Sequence, residues 1–441
     1  MTEIERHKTA LVRSELSLPM RLLLRYGFLD GSKAVFDYGC GRGDDLDWLL
    51  QLGVSAEGWD PEYRPGEKKV SANIVNLGYV LNVIEDKKER SATLRDAFSL
   101  TQDVMLVSVM LGYQRKREQY QEFRDGVLTQ RNTFQKYFAQ DEFKSYLEEV
   151  LEHRVIPLAP GICLVFKNQL DEQLFLLSRQ QVRREWRLLR RDPTDADVAK
   201  LVETYRDEIE SYWHRALDLG RAPAPEECVE AQSLMQLVGS WKKVHEWVGQ
   251  FFDTEELEAA SLGRQEDLVV YFALSHFGKG PTYRKLLPRL QRDVQYFFGN
   301  ITKARGVGKK ALFAVGDFAK IEESAVFCHE EIGIGQLNDR HDFVFHQEML
   351  KDCLPLIRIF VGCALQLFGD VESVDLIKVH LQSGKVTFQV YDDFEGLDNP
   401  SLVERIKVDL PRLKVDYFEY GREFQPEPLN GPKEEFFLRT E

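Results

Sequence analysis

The densest chemistry in this chain lies in residues 35–45, VFDYGCGRGDD. A short apolar run ends in Asp37 and opens into Gly39, Gly41 and Gly43, and an amphipathic pattern follows from about Asp44 to Leu52. The order is strand, glycine turn, helix. Glycines at such a turn permit φ > 0 and let the backbone approach a ligand closely. The helix behind them offers unpaired N–H groups. A second strand, VSAEGWDP over 54–61, carries Asp60 at its end, 17 residues past Gly43. An acid there can hold ribose hydroxyls, because ligands of open α/β sheets bind outside the carboxyl ends of the strands. The G-x-G-x-G spacing departs from the dinucleotide pattern G-x-G-x-x-G, and the chain has no G-x-x-x-x-G-K-[ST] phosphate loop.

Other segments offer weaker chemistry. RDGVLTQRNTFQKYF (124–138) mixes basic and aromatic residues, the composition that grips single-stranded nucleic acid. Arg131, Phe134, Lys136 and Tyr137 are its candidates for lining a substrate cleft; an amphipathic lid without a ligand would read the same way. Arg183, Arg184, Arg187, Arg190 and Arg191 form a basic run on an expected helix, either a solvated face paired with acids or a phosphate-contacting face. Cys328, His329, His341 and His346 lie close in sequence but fit no zinc pattern and read as structural, so no metal is expected.

The elements that must position these residues follow from the patterning. At 441 residues, two or three domains are expected. A helix is expected over 8–27, interrupted at Pro19 and ended by Gly27. Strand and helix patterns then alternate: a buried strand in ANIVNLGYVLNVI (72–84), a helix over 87–100, a strand over 104–111, a helix over 141–151 and a last strand over 161–168. The alternation defines an α/β domain over 1–168. A mainly helical region is expected over 169–304, with Met235, Leu237, Trp241, Val244, Trp247, Val248, Phe251 and Phe252 as core. An α+β region with two hairpins is expected over 305–425, and the polar tail, 426–441, reads as loosely ordered.

Hydrophobic and charged contents of 43% and 29% describe a soluble globular chain. The scattered six cysteines argue against a disulfide framework, and the charged N-terminus lacks a secretory h-region. A cytoplasmic protein with no membrane association is the expectation. The formal net charge of −14 lacks the basic footprint of a dedicated nucleic-acid binder. Residues 1–168 are nearly neutral, so any nucleic acid would have to be met there.

Together, D-x-G-x-G-x-G and the distal Asp60 resemble the S-adenosylmethionine site of class I methyltransferases. A Rossmann-like domain for another adenosine ligand, or for none, is the alternative. The resemblance implies a donor site of Asp37, Gly39, Gly41, Gly43, Asp60 and Asn76. NLGYVLN (76–82) stands where the fourth strand of such a domain ends. Amino-group methyltransferases place a [DNS]-P-P-[YF] turn there; Asn76 and Tyr79 keep its two ends, while Leu77 and Gly78 replace the prolines. Asn76 and Tyr79 are therefore the candidate catalytic pair.

RHKTALVRSELSLP, VFDYGCGRGDD, GWDP, NLGYVLNVIEDKKER and DGVLTQRNTFQKYF, in this order, resemble the DNA phosphorothioation-associated methyltransferase family. HFGKGPTYRKLLPRLQRDVQYFFG, LPLIRIFVGCA and VDLIKVHL resemble its C-terminal region more loosely. The chain departs from it at Asn399-Pro400, where the family tends to His-Pro, and in the closing QPEPLNGPKEEF. The resemblance implies methyl transfer in a DNA modification or defence setting, with DNA and phosphorothioation-system or defence proteins as partners. Transfer to tRNA, protein or a small molecule, or a non-catalytic S-adenosylmethionine-binding scaffold, are the competing readings.

Overall fold

The computed structural model describes residues 6–9, 13, 15–112, 120–129, 132–182, 184, 186, 193, 195–278, 282–339, 341–369, 374–421 and 424–438. It divides into two compact units. One gathers Met1–Glu172, Glu322–Leu350 and Val361–Glu441; the other gathers Gln173–Ile321 and Lys351–Phe360.

The first unit opens with helix α1 (Leu18–Arg25). The expected helix over 8–27 is corrected here. Pro19 sits in the first turn of α1 rather than interrupting a longer helix, because a proline lacks only an N–H that is orphaned there anyway. Then follow β1 (Val35–Tyr38), α2 (Asp44–Gln51), β2 (Ala56–Trp59), β3 (Ala72–Gly78), α3 (Lys87–Leu100) and β4 (Thr101–Ser108). Asp86 caps α3 by accepting from the Lys88 and Glu89 N–H groups. Three short strands, β5 (Gln121–Phe123), β6 (Gly126–Leu128) and β7 (Phe134–Gln135), form a small antiparallel sheet. Helix α4 (Gln140–Leu151) and the hairpin of β8 (Ile156–Ala159) and β9 (Ile162–Phe166) complete this part.

The main sheet has the order β2-β1-β3-β4-β9-β8. β1, β2, β3 and β4 run parallel and β9 runs antiparallel to β4. This part of the unit is therefore Rossmann-like. Every residue of β1 is buried, as expected of a strand flanked on both sides and covered on both faces. Phe36, Val75, Leu77, Met105, Val107, Phe143 and Leu147 belong to one apolar core. From β1 the chain moves outward to β2, then returns across β1 to β3. That reversal makes the carboxyl ends of β1 and β3 the switch point where such sheets bind ligands. Residues 60–71 connect β2 to β3 without a helix, and β2 lies at the edge of the sheet.

The same unit holds a six-stranded antiparallel sheet, β10 (Gln336–Asn338), β11 (Asp342–His346), β12 (Leu376–His380), β13 (Lys385–Tyr391), β14 (Leu402–Asp409) and β15 (Lys414–Glu419). The loosely ordered tail is corrected too: Leu429 and Phe436 are buried with Val344, Leu376 and Phe394, and Phe437 stacks on His346 at 4.3 Å. Three apolar side chains outweigh the polar composition around them.

The second unit is helical. Val244, Val248, Phe251 and Phe252 pack with Tyr212 and Trp213, while Met235, Leu237, Trp241 and Trp247 are only partly buried. The helices Thr254–Ser275 and Ile301–Ala314 cross so closely that a Cβ at Gly308 would meet the Phe272 backbone at 2.6 Å. Two buried acids organise it: Asp293 pairs with Arg221 and Arg264, and Asp267 with Arg184 and Arg358. Among the described residues no helix is long and apolar enough to cross a membrane.

Candidate functional site

The glycine turn begins where β1 ends. The Gly39 and Cys40 N–H groups donate to the Trp59 carbonyl at 2.7 and 3.2 Å, so the turn is fastened to the end of β2. Gly39, Gly41 and Gly43 have φ of 82°, 54° and 94°. A Cβ at Gly39 would stand 2.4 Å from the Val80 side chain. Gly43 closes the turn as the left-handed residue preceding α2.

Asp60 braces the turn from β2. Its carboxylate accepts from the Gly41 N–H at 3.0 Å and from the Glu62 and Tyr63 N–H groups at 2.9 Å each. An ionised carboxylate offers about four acceptor sites, so capacity remains for a ligand hydroxyl.

Asp37 and Asn76 lie opposite each other in the β1–β3 register, and the Asn76 amide donates to Asp37 at 2.8 Å. Both are buried. Burial and the nearby Asp45 push the Asp37 carboxyl up to about 7, against the opposing pull of Asn76 and Arg13. The Asn76 carbonyl oxygen meets no protein donor. Burial and Asp37 likewise push the Cys40 thiol up to about 12, so Cys40 is no thiolate nucleophile near neutrality.

Tyr79 follows β3 with φ 59°, a left-handed conformation uncommon for an aromatic residue. Its N–H donates to the Ser108 carbonyl at 2.9 Å, which holds the turn against the end of β4. The Arg13 guanidinium lies 5.9 Å from its ring centre.

These groups share one cleft of about 1630 Å³, lined among others by Asp37, Gly39, Gly41, Asp60, Asn76 and Tyr79. Gly43 stands outside its lining, under the Arg64 guanidinium. The expectation for 124–138 is corrected in part. Phe134 is fully buried, Tyr137 is buried, and Lys136 is buried in ion pairs with Glu142 at 2.7 Å and Asp125 at 3.6 Å. None of the three lines the cleft; Phe123, Arg124, Leu128 and Gln135 do. Arg131 lies outside the described residues, as do Arg183, Arg187, Arg190 and Arg191.

Sequence reasoning missed the N-terminal segment. The Arg13 N–H donates to Asp44 at 2.6 Å and the Ser17 N–H to Asp45 at 2.7 Å, which brings Arg13, Glu15, Leu16 and Ser17 to the cleft wall. The available signal was the pair of consecutive acids after Gly43, more than a helix start needs.

No protein-family model and no curated protein matches the chain. Among solved structures it is similar to magnesium protoporphyrin IX methyltransferase from Synechocystis PCC 6803 with bound SAH, at 13% identity over 37% of this chain and 93% of that chain, TM-score 0.27. It is also similar to 1,6-didemethyltoxoflavin-N1-methyltransferase from Burkholderia thailandensis, at 15% identity over 34% and 78%, TM-score 0.26. A third is a SAM dependent methyltransferase from Aquifex aeolicus, at 14% identity over 37% and 98%, TM-score 0.26. Likenesses this slight leave the sheet order and the cleft as the ground for any reading of the ligand.

Proposed function

We propose that this chain is a class I methyltransferase that binds S-adenosylmethionine in the cleft and methylates DNA, within a phosphorothioation-linked modification or defence system. The observation that carries the donor is the convergence of Asp37, Asp60 and Asn76, from the carboxyl ends of three adjacent parallel strands, on one glycine-floored cleft. The fit is chemical. Asp37, Asp45 and Asp60 give the cleft an acidic wall, which suits a ligand carrying both an ammonium and a sulfonium. The unpartnered Asn76 oxygen, on a residue that lines the cleft, leaves a polar position for a ligand to satisfy, and the positive-φ residues Gly39 and Gly41 bring the backbone itself to the cleft wall.

The cofactor supplies an electrophilic methyl group. The chain's own residues bind and orient: Asp60 takes ribose hydroxyls, Asp37 takes the ammonium, Asn76 fixes Asp37, and Tyr79 borders the acceptor. Catalysis then rests on alignment of acceptor and methyl group for in-line displacement.

DNA as acceptor rests on the motif resemblance to the phosphorothioation-associated family. The cleft of about 1630 Å³ leaves room for an acceptor beside the donor. A base in a duplex would have to be flipped out to reach it. Incubation with methyl-labelled S-adenosylmethionine and duplex DNA is the test. Label in DNA, with transfer falling steeply as salt rises, is expected. Label that enters only tRNA, protein or a metabolite overturns the acceptor, and cofactor binding without transfer to any of them supports the scaffold instead.

A further inference from the structure

The donor's amino-acid end carries a carboxylate as well as an ammonium. A cleft lined by Asp37, Asp45 and Asp60 repels that carboxylate unless a cation faces it. The lining of the cleft includes four arginines, Arg6, Arg13, Arg21 and Arg124. Three already have acidic partners. Arg6 pairs with Glu85 at 2.9 Å and Glu89 at 2.6 Å. Arg21 pairs with Glu15 at 3.3 Å, and Arg124 lies 3.7 Å from Asp86. Among the described residues, no carboxylate pairs with the Arg13 guanidinium. What the acids hold at Arg13 is its backbone: the N–H is fixed by Asp44 at 2.6 Å, and Ser17 four residues on is fixed by Asp45. The side chain is left to the cleft, beside Tyr79 and in electrostatic reach of Asp37.

We infer that Arg13 binds the α-carboxylate of the donor, so that Arg13 and Asp37 form a two-charge clamp selecting an intact α-amino-acid end. This rests on the cofactor reading above and deepens it. The clamp is split between two parts of the chain that the Asp44 and Asp45 contacts join. Donor capture thus depends on the seating of the N-terminal segment as well as on the glycine turn. A guanidinium suits the task because its planar fork meets a carboxylate through two parallel hydrogen bonds.

The test compares S-adenosylmethionine with decarboxylated S-adenosylmethionine, which keeps the ammonium and sulfonium and lacks only the carboxylate. Full-length wild type, Arg13→Ala and Arg13→Lys are titrated with each by calorimetry. Arg13→Ala is expected to weaken S-adenosylmethionine binding by about tenfold or more, and to leave the decarboxylated ligand within about twofold, because no bond to it is lost. Arg13→Lys should recover part of the loss. Equal weakening of both ligands would mean that Arg13 only shapes the segment, and unchanged binding of both would remove it from the site; either overturns the clamp while the cofactor reading stands. Failure of the wild-type chain to bind either ligand overturns the cofactor reading itself, and the clamp with it.

Discussion

The Asn76 side-chain amide donates to the buried Asp37 carboxylate at 2.8 Å, while its own carbonyl oxygen has no protein donor. The bond follows from the sheet: the two residues are Cα partners on parallel strands, so their side chains emerge side by side on one face. An unpartnered buried oxygen costs about 1–3 kcal/mol. Such groups in native structures call for a reason, and the proposed donor offers one.

Replacing Asn76 with Ala should leave the Asp37 carboxyl without its hydrogen-bond donor. Donor affinity is expected to fall about tenfold, the loss of one charge-assisted hydrogen bond. Methyl transfer should fall further than binding, because Asp37 loses its fixed orientation. Undiminished turnover in this variant would remove Asn76 from the catalytic pair.

Asp37 gives the site a pH dependence of defined sign. Its folded-state carboxyl titrates at about 7, above its ordinary value of 3.8. The folded state therefore holds this proton more tightly than the unfolded chain. The resulting stabilisation is complete below the unfolded value and is lost as pH rises through about 7. Binding an ammonium requires the ionised form, so donor affinity should rise with pH between about 6 and 8 and then level off. Titrations across that range and thermal melts from about pH 4 to 8 check the two slopes, and Asp37→Asn should abolish them together.

The two outer glycines of the turn should respond differently to alanine. At Gly39 the added Cβ meets the Val80 side chain at 2.4 Å, with φ at 82°. Gly39→Ala is expected to destabilise by roughly 2–4 kcal/mol and to block donor binding. At Gly43 the added Cβ meets the far end of the flexible Arg64 side chain. Gly43→Ala should cost only the left-handed strain, about 1–2 kcal/mol, and retain binding. Denaturant melts with parallel titrations separate the two.

Lys136 should behave as a structural residue. Its ammonium is buried against Glu142 and Asp125, and the Asp125 carboxyl is held below its usual range by Arg90 and Lys136. Lys136→Ala is expected to lower stability by about 1–3 kcal/mol. The salt dependence of any DNA binding should not change, since no phosphate contact is removed. A shallower salt slope would restore it to the substrate surface.

What the sequence disclosed was local. Asp37, Gly39, Gly41 and Asp60 were legible because their spacing within one strand–turn–helix–strand unit already places them at the carboxyl ends of adjacent strands. β8 was not, because Pro157 argues against a strand; as the last strand of the sheet it has a free edge where proline is tolerated. The mixture of aromatic and basic residues around 134–137 could not say which face would be buried. Lys136 acquires Asp125 as a partner only when the chain folds. Arg13 was missed for the same reason, since its anchor Asp44 lies 31 residues away.

The most direct measurement is calorimetric titration of the wild-type chain and Asp60→Ala with S-adenosylmethionine. Single-site binding by the wild type, weakened by about tenfold or more in Asp60→Ala through the lost ribose contact and loosened Gly41, is the predicted result. No binding by a folded wild-type chain, or equal binding by both proteins, would contradict the donor site described here.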